Sequence, residues 1–189
     1  MLLPIVKYGH PALRQKGARI ESLTPTIRLL VADMFESMHA ANGIGLAAQQ
    51  VGQALQLTVI DVRAAKDRPS TLEVNGQPAP VDDFMPLVLI NPEIQPHGES
   101  ATGPEGCLSF PELYADIMRP EFVDVVAIND KGERLQFKAG GLLSRVVQHE
   151  VDHLNGILFI DRMTRKVKEE LREELEAIQR ATKAAFQAK

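Results

Sequence analysis

Apolar residues recur at helical spacing after Thr24-Pro25, at Ile27, Leu30, Val31, Met34, Phe35 and Met38, until Asn42-Gly43 ends the run. Thr24 suits an N-cap and Pro25 a first helical position, so the pattern predicts a helix with one face on a core. Leu55 to Arg63, Pro86 to Ile94 and Val123 to Asn129 are β-branched or alternating runs bounded by turn residues, and Asp130-Lys131-Gly132 turns the chain back into Arg134 to Lys138. These predict strands, mostly antiparallel. Residues 66–83 carry Pro69, Gly76, Pro78 and Pro80 with little apolar pattern, and read as a surface excursion from the sheet.

From Gly141 to Leu154 the apolar positions Leu142, Leu143, Val146, Val147, Val151 and Leu154 cover most of a helix circumference, and Asn155-Gly156 stops it. Such a helix must be buried. Residues 165–185 place Val167, Leu171, Leu175, Ile178, Thr182 and Ala185 on one stripe with charges elsewhere, which predicts a long surface helix lying on the body. The class expected is α+β, with mostly antiparallel strands around a buried central helix and a long C-terminal helix on the surface.

Length and composition narrow this further. The 189 residues, 44% hydrophobic and 24% charged, fit one domain with one core. No run approaches the roughly 18 apolar residues of a membrane span, and the first residues lack the unbroken apolar stretch of a signal peptide, so the expected location is the cytoplasm. The net charge of −4 argues against a nucleic-acid-binding domain. It conceals an asymmetry: from Arg162 onward eight Lys/Arg face five Glu, giving +3 for the tail and −7 for the rest, a distribution that points to an anionic partner. A single cysteine, Cys107, excludes an internal disulfide.

The buried helix carries His149-Glu150-Val151-Asp152-His153, an H-E-x-x-H pattern in which histidines four apart share a face and can hold one metal, with the Glu as general base. Glu150 falls at helical spacing from Leu143, Val147 and Leu154, so an ionised carboxylate projects from an apolar face and needs compensation, which a divalent cation with a polarised water supplies. A catalytic site keeps three protein ligands and an open position. No His or Cys follows His153, leaving Asp161 and the tail glutamates downstream, and His10, His39, His97 and Cys107 upstream. Cys107 lies in Glu105-Gly106-Cys107-Leu108-Ser109, where Gly106 lets backbone approach closely in a segment able to present a sulfur ligand. A further small-residue segment, Gly43 to Gln50, follows the first helix. Without a following Lys-Ser/Thr it is no phosphate loop.

Three segments in order, Gly43 to Gln50 (G-x-G-L-A-A-x-Q), Glu105 to Ser109 (E-G-C-L-S) and Gln148 to His153 (Q-H-E-x-D-H), closely resemble the peptide deformylase family, and Tyr8 to Arg14 is similar to its opening. The likeness extends over roughly residues 4 to 165. It implies a hydrolase that removes the formyl group from N-formylmethionine at the start of nascent polypeptides, releasing formate. It implies that Cys107, His149 and His153 bind one divalent metal, most often Fe(II) in the family, with Zn, Ni or Co also accommodated. Glu150 is then the proton carrier, and the Gln50 side-chain amide and Leu108 backbone N–H the oxyanion donors. Ile44, Gly45 and Gly106 hold the peptide as an added strand, while Leu142 and Val146 line the methionine pocket. Arg145, one turn before His149, stands where an aliphatic residue is usual and is placed at the pocket rim. Glu105 and Asp152 have two readings, as carboxylates orienting the metal histidines or Arg119, or as ordinary ion-pair partners. The whole of 1–189 reads as one catalytic domain, with 165–189 a helix resembling that of a subgroup in which it docks on the ribosome. Competing readings are a zinc endopeptidase, weakened by the missing downstream histidine, and a ribosome-associated module with a structural metal, weakened by having only three ligands.

Overall fold

The computed structural model describes residues 1–187, with the side chain of Gln187 outside the description; Ala188 and Lys189 of the expected C-terminal helix lie outside the described residues. In chain order the elements are α1 (Pro25–Ala40), β1 (Gly45–Ala47), β2 (Leu57–Ile60), β3 (Ser70–Val74), β4 (Gln77–Pro78), β5 (Leu87–Cys107), β6 (Phe110–Ile128), β7 (Arg134–Gly140), α2 (Gly141–Leu154), α3 (Arg165–Glu170) and α4 (Arg172–Gln187). The strands form a seven-stranded sheet in the order β1-β2-β5-β6-β7-β3-β4. Its pairings are antiparallel. This is the α+β class the sequence predicts.

Helix α1 begins as its sequence dictates: the Thr24 hydroxyl accepts the Ile27 N–H at 3.2 Å, and Pro25 occupies the first turn. Successive residues of β2 and of the start of β5 point to opposite faces, and both faces are covered. Leu57, Val59, Val88 and Ile90 pack with Val31, Met34 and Met38 of α1. Ile60, Leu87 and Leu89 pack with Leu142, Leu143, Val146, Val147 and Val151 of α2. A third cluster joins Phe110, Leu113 and Ile117 of β6 to Leu158, Phe159 and Leu175. Helix α2 therefore lies under the sheet with twelve of its fourteen residues buried.

Residues 66–83 depart from the expected surface excursion. They contain β3 and β4, which extend the sheet through pairing of Thr71 to Glu73 with Lys138 to Gly140. The segment also satisfies the start of α2, whose own N-cap, Gly140, has no side chain to offer: the Pro69 carbonyl accepts the Leu142 N–H at 3.0 Å and the Ser70 hydroxyl accepts the Leu143 N–H at 3.0 Å. The C-terminal run is also two helices rather than one, broken at Leu171 (φ −96°, ψ 6°). Its apolar stripe meets the body as expected, with Leu175 buried and Val167, Leu171 and Ile178 half-buried against the third cluster. Among the described residues no helix is long and apolar enough to cross a membrane.

Candidate active site and metal centre

Three elements deliver the site. Helix α2 places His149 and His153 one turn apart on one face, with ring centroids 5.0 Å apart. Strand β5 ends on Cys107, and the segment joining β1 to β2 contributes Gln50. Cys107 Sγ lies 3.3 Å from His153 Nε2, and the ligand atoms of Cys107, His149 and His153 all fall within 4.8 Å of one another. The other upstream candidates are elsewhere: His39 pairs with Asp61, His97 with Asp124, and His10 Nδ1 accepts the Ala12 N–H. Asp161 is engaged by Arg14 and the Leu158 N–H.

The chemistry of this donor set suits a divalent cation. Sulfur and imidazole converge from separate elements, and His149 Nδ1 is taken by Glu105 Oε1 at 2.8 Å, which aims Nε2 at the cluster. Burial lowers the pKa of His149, but hydrogen bonds to Cys107 and Glu105 raise it well above its ordinary value. Burial and the nearby His149 push His153 well below its ordinary value.

Glu105 is itself held. Arg119 clasps it at 2.6 and 2.9 Å, and Arg145 Nη1 donates to Oε2 at 2.9 Å. Burial raises its pKa, yet the hydrogen bonds from His149 and Arg119 outweigh that and bring it down to about 2. Arg119 also reaches Asp152 at 2.9 Å, where Arg162 binds from the outer side. The geometry thus decides between the two readings of these carboxylates: Glu105 orients a histidine of the cluster, whereas Asp152 anchors the arginines. Arg145 lines the cavity and is firmly held there. Beyond Glu105 it donates to the Ile117 and Ala101 carbonyls, and its guanidinium lies over Gly103, where a Cβ would sit 3.1 Å from Nη2.

Glu150 is buried beside the cluster and its Oε2 has no hydrogen-bond partner. Burial is the main cause of a pKa raised to about 7. Gly45 leaves the room it occupies, since a Cβ there would overlap Glu150 Oε1. Gln50 is fixed by accepting the Ala47 N–H at 2.9 Å, which turns its amide nitrogen toward Ser109 Oγ at 3.3 Å and Cys107 Sγ at 3.5 Å. A cavity of about 490 Å³ opens onto these groups, and Ile44, Gly45, Gln50, Gly106, Cys107, Leu108, Leu142, Val146, His149 and Glu150 all line it. His153 is buried and does not line the cavity. Among the lining residues that the sequence does not single out, three bear directly on the site. Lys7 donates to the Leu108 carbonyl at 2.7 Å, Arg68 reaches over from the 66–83 segment, and Tyr114 lies against Gly106. None belongs to a motif, so only proximity reveals them.

Comparison with known proteins agrees with this geometry. A match to the polypeptide deformylase family spans residues 2–169. The chain is 47% identical over 180 residues to a peptide deformylase of Methylacidiphilum infernorum, covering 95% of this chain and 94% of that one. A plant peptide deformylase superposes with a TM-score of 0.83 at 38% identity, over 97% of this chain and 92% of that one. A peptide deformylase of Synechococcus elongatus, solved in complex with actinonin, gives 0.78 at 38% identity over 93% and 85%. Matched nearly end to end by relatives that share both its sequence and its architecture, the chain belongs to the polypeptide deformylase family.

Proposed function

We propose that Glu150, Gln50 and the Leu108 backbone N–H perform deformylation at a metal held by Cys107, His149 and His153. Peptide deformylase activity itself follows from the family and its close relatives. When bound, a divalent metal polarises water so that it ionises near pH 7 instead of 15.7. Glu150, buried and poised at about 7, takes a proton at its free Oε2 and returns it to the leaving methionyl amine. The Gln50 amide, aimed past Cys107, and the Leu108 N–H donate to the formyl oxygen as negative charge develops there. The formamide C–N bond breaks, giving formate and a free amino terminus. Ile44, Gly45 and Gly106 offer backbone to an extended peptide, a mode that reads little of its side chains, and Leu142 and Val146 receive the first one.

The observation that carries this reading is the unpartnered Glu150 carboxylate next to a convergent Cys–His–His cluster at the cavity wall. Purified protein offered formyl-Met peptides and internal peptide amides will release formate from the first and leave the second intact; the reverse pattern defeats the assignment. For the metal we favour Fe(II), with Zn, Ni or Co able to occupy the same soft and borderline ligands. An iron form will lose activity in air because iron and the Cys107 sulfur are oxidisable, whereas a nickel form will persist. Metal content of anaerobically purified protein checks the choice.

Residues 1–189 form one catalytic domain on this reading, acting in the cytoplasm where formylated chains are made. Its C-terminal segment supplies a ribosome contact through cations such as Lys166, Lys168, Arg180 and Lys183, on a segment whose apolar stripe faces the body.

A further inference from the structure

Six charged residues line the active-site cavity: Lys7, Arg68, Glu105, Glu112, Arg145 and Glu150. Glu105 and Arg145 hold each other, Lys7 is occupied by the Leu108 carbonyl, and Glu150 has its role beside the metal cluster. Glu112 lies on β6 between Phe110, the partner of Cys107, and Tyr114, the partner of Gly106, and so sits at the level of the reacting group. Arg68 is different. Among the described residues its one side-chain hydrogen bond runs to the Pro104 carbonyl at 3.2 Å, leaving most of its donors facing the cavity and solvent. It is also held in place, because Pro69 and Ser70, the next two residues, cap α2, and its own N–H donates to Ala65.

The position of Arg68 along β5 gives it a distance from the chemistry. Pro104 precedes Cys107 by three residues of extended strand, or about 10 Å at roughly 3.3 Å per residue. A substrate whose formyl carbon lies at Cys107 and which pairs alongside Gly106 runs antiparallel to β5, toward Pro104. Its third residue then lies level with Arg68.

We propose that Arg68 is a specificity-determining residue that binds a carboxylate at the third substrate position, either an acidic side chain or the terminal carboxylate of a short product-like peptide. This rests on the deformylase reading of the same cavity. The pair is partly exposed, so the preference it confers is modest, about two- to fivefold, and it weakens as salt screens it.

The test is a ratio measured within one enzyme preparation, which cancels differences in folding and metal loading. Values of kcat/KM are compared for formyl-Met-Ala-Glu-amide and formyl-Met-Ala-Gln-amide at low ionic strength, in the wild type and in Arg68→Gln, Arg68→Lys and Arg68→Glu. Formyl-Met-Ala-Gln as the free acid forms a second arm that separates a terminal from a side-chain carboxylate. The wild type and Arg68→Lys will favour the Glu peptide, the ratio will fall to about one in Arg68→Gln, and Arg68→Glu will favour the Gln peptide. A wild-type ratio of one in both arms, or a ratio that Arg68→Gln leaves unchanged, overturns the inference while the activity stands. If no formyl-peptide is hydrolysed, the function proposed for the cavity falls and the inference with it.

Discussion

Helices α2 and α4 are similar in length and opposite in what surrounds them. Six of the twelve buried residues of α2 are polar or ionisable, and the β5–β6 hairpin supplies Glu105, Arg119 and the Pro120 carbonyl to His149, Asp152 and Gln148. Among the described residues of α4 only Leu175 is buried, and the ion pairs of Arg172 with Glu169 and of Arg180 with Glu176 lie in water. The same types of charge therefore do different things. In α2 each must be matched by a partner from another element or carry a function, since an unmatched buried charge is costly. In α4 the charges are solvated and their pairs contribute about 0 to 1 kcal/mol each.

The largest effects should fall on groups on or beside α2 that face the cavity. Replacing Glu150 by Ala should lower turnover by about 10² to 10⁴, the range of a general acid–base, while metal content and fold remain. Near-normal turnover would remove Glu150 from the proton-carrying role, and loss of the metal together with activity would mark it as a ligand instead. Gln50→Ala should cost roughly 10² to 10³ in kcat, the scale of one oxyanion donor. A variant changed in KM alone would remove Gln50 from that role.

Stability sharpens the contrast next. Arg119→Met strips Glu105 and Asp152 of a buried partner and should destabilise by about 3 to 5 kcal/mol in urea unfolding. Arg172→Met, on α4, should stay within about 0.5 kcal/mol. Equal effects at the two positions would erase the distinction between the helices.

Acid should act through the same network. The folded Glu105 has a pKa of about 2, below the ordinary value of 4.5, so its contribution is fully present above about 4.5 and is lost as pH falls toward 2. Denaturation midpoints from pH 6 to pH 3 should fall more steeply in the wild type than in Glu105→Gln; parallel curves would refute the linkage. The smallest effect is expected on α3 and α4. Changing Lys166, Lys168, Arg180 and Lys183 together to Gln should leave short formyl-peptide hydrolysis unaltered and weaken ribosome co-sedimentation in a salt-dependent way. Salt-insensitive binding that survives all four changes would leave these helices without that function.

Much of α2 was legible in the sequence because helix periodicity is local: Gly141 to Leu154 forms the predicted helix, and i, i+4 spacing alone puts His149 and His153 on one face. The strands were legible only in part. The Pro86 to Ile94 run is the start of a 21-residue β5, whose continuation through Pro96, Gly98, Ser100, Gly103 and Pro104 has little intrinsic strand preference and is held by pairing with β6. The 66–83 segment was misread for the same reason. Its strands form on the edge offered by β7, and its service to α2 is a contact across many intervening residues.

What could be read without coordinates was therefore whatever depends on neighbours a few positions away: α1 and α2 with their buried faces, the apolar stripe of the C-terminal run though not its break at Leu171, the histidine pair, and the motifs whose order marks the family. Tertiary structure decided which remote groups meet. Cys107 and Gln50 join the histidines only because β5, the β1–β2 segment and α2 converge, and Glu105 becomes an orienting carboxylate only where Arg119 and Arg145 enclose it. Arg68 reaches the cavity because its segment caps α2. Periodicity encodes the face a residue presents, but the partner it meets across the core is fixed by packing and hydrogen bonding between elements, and no local pattern records that.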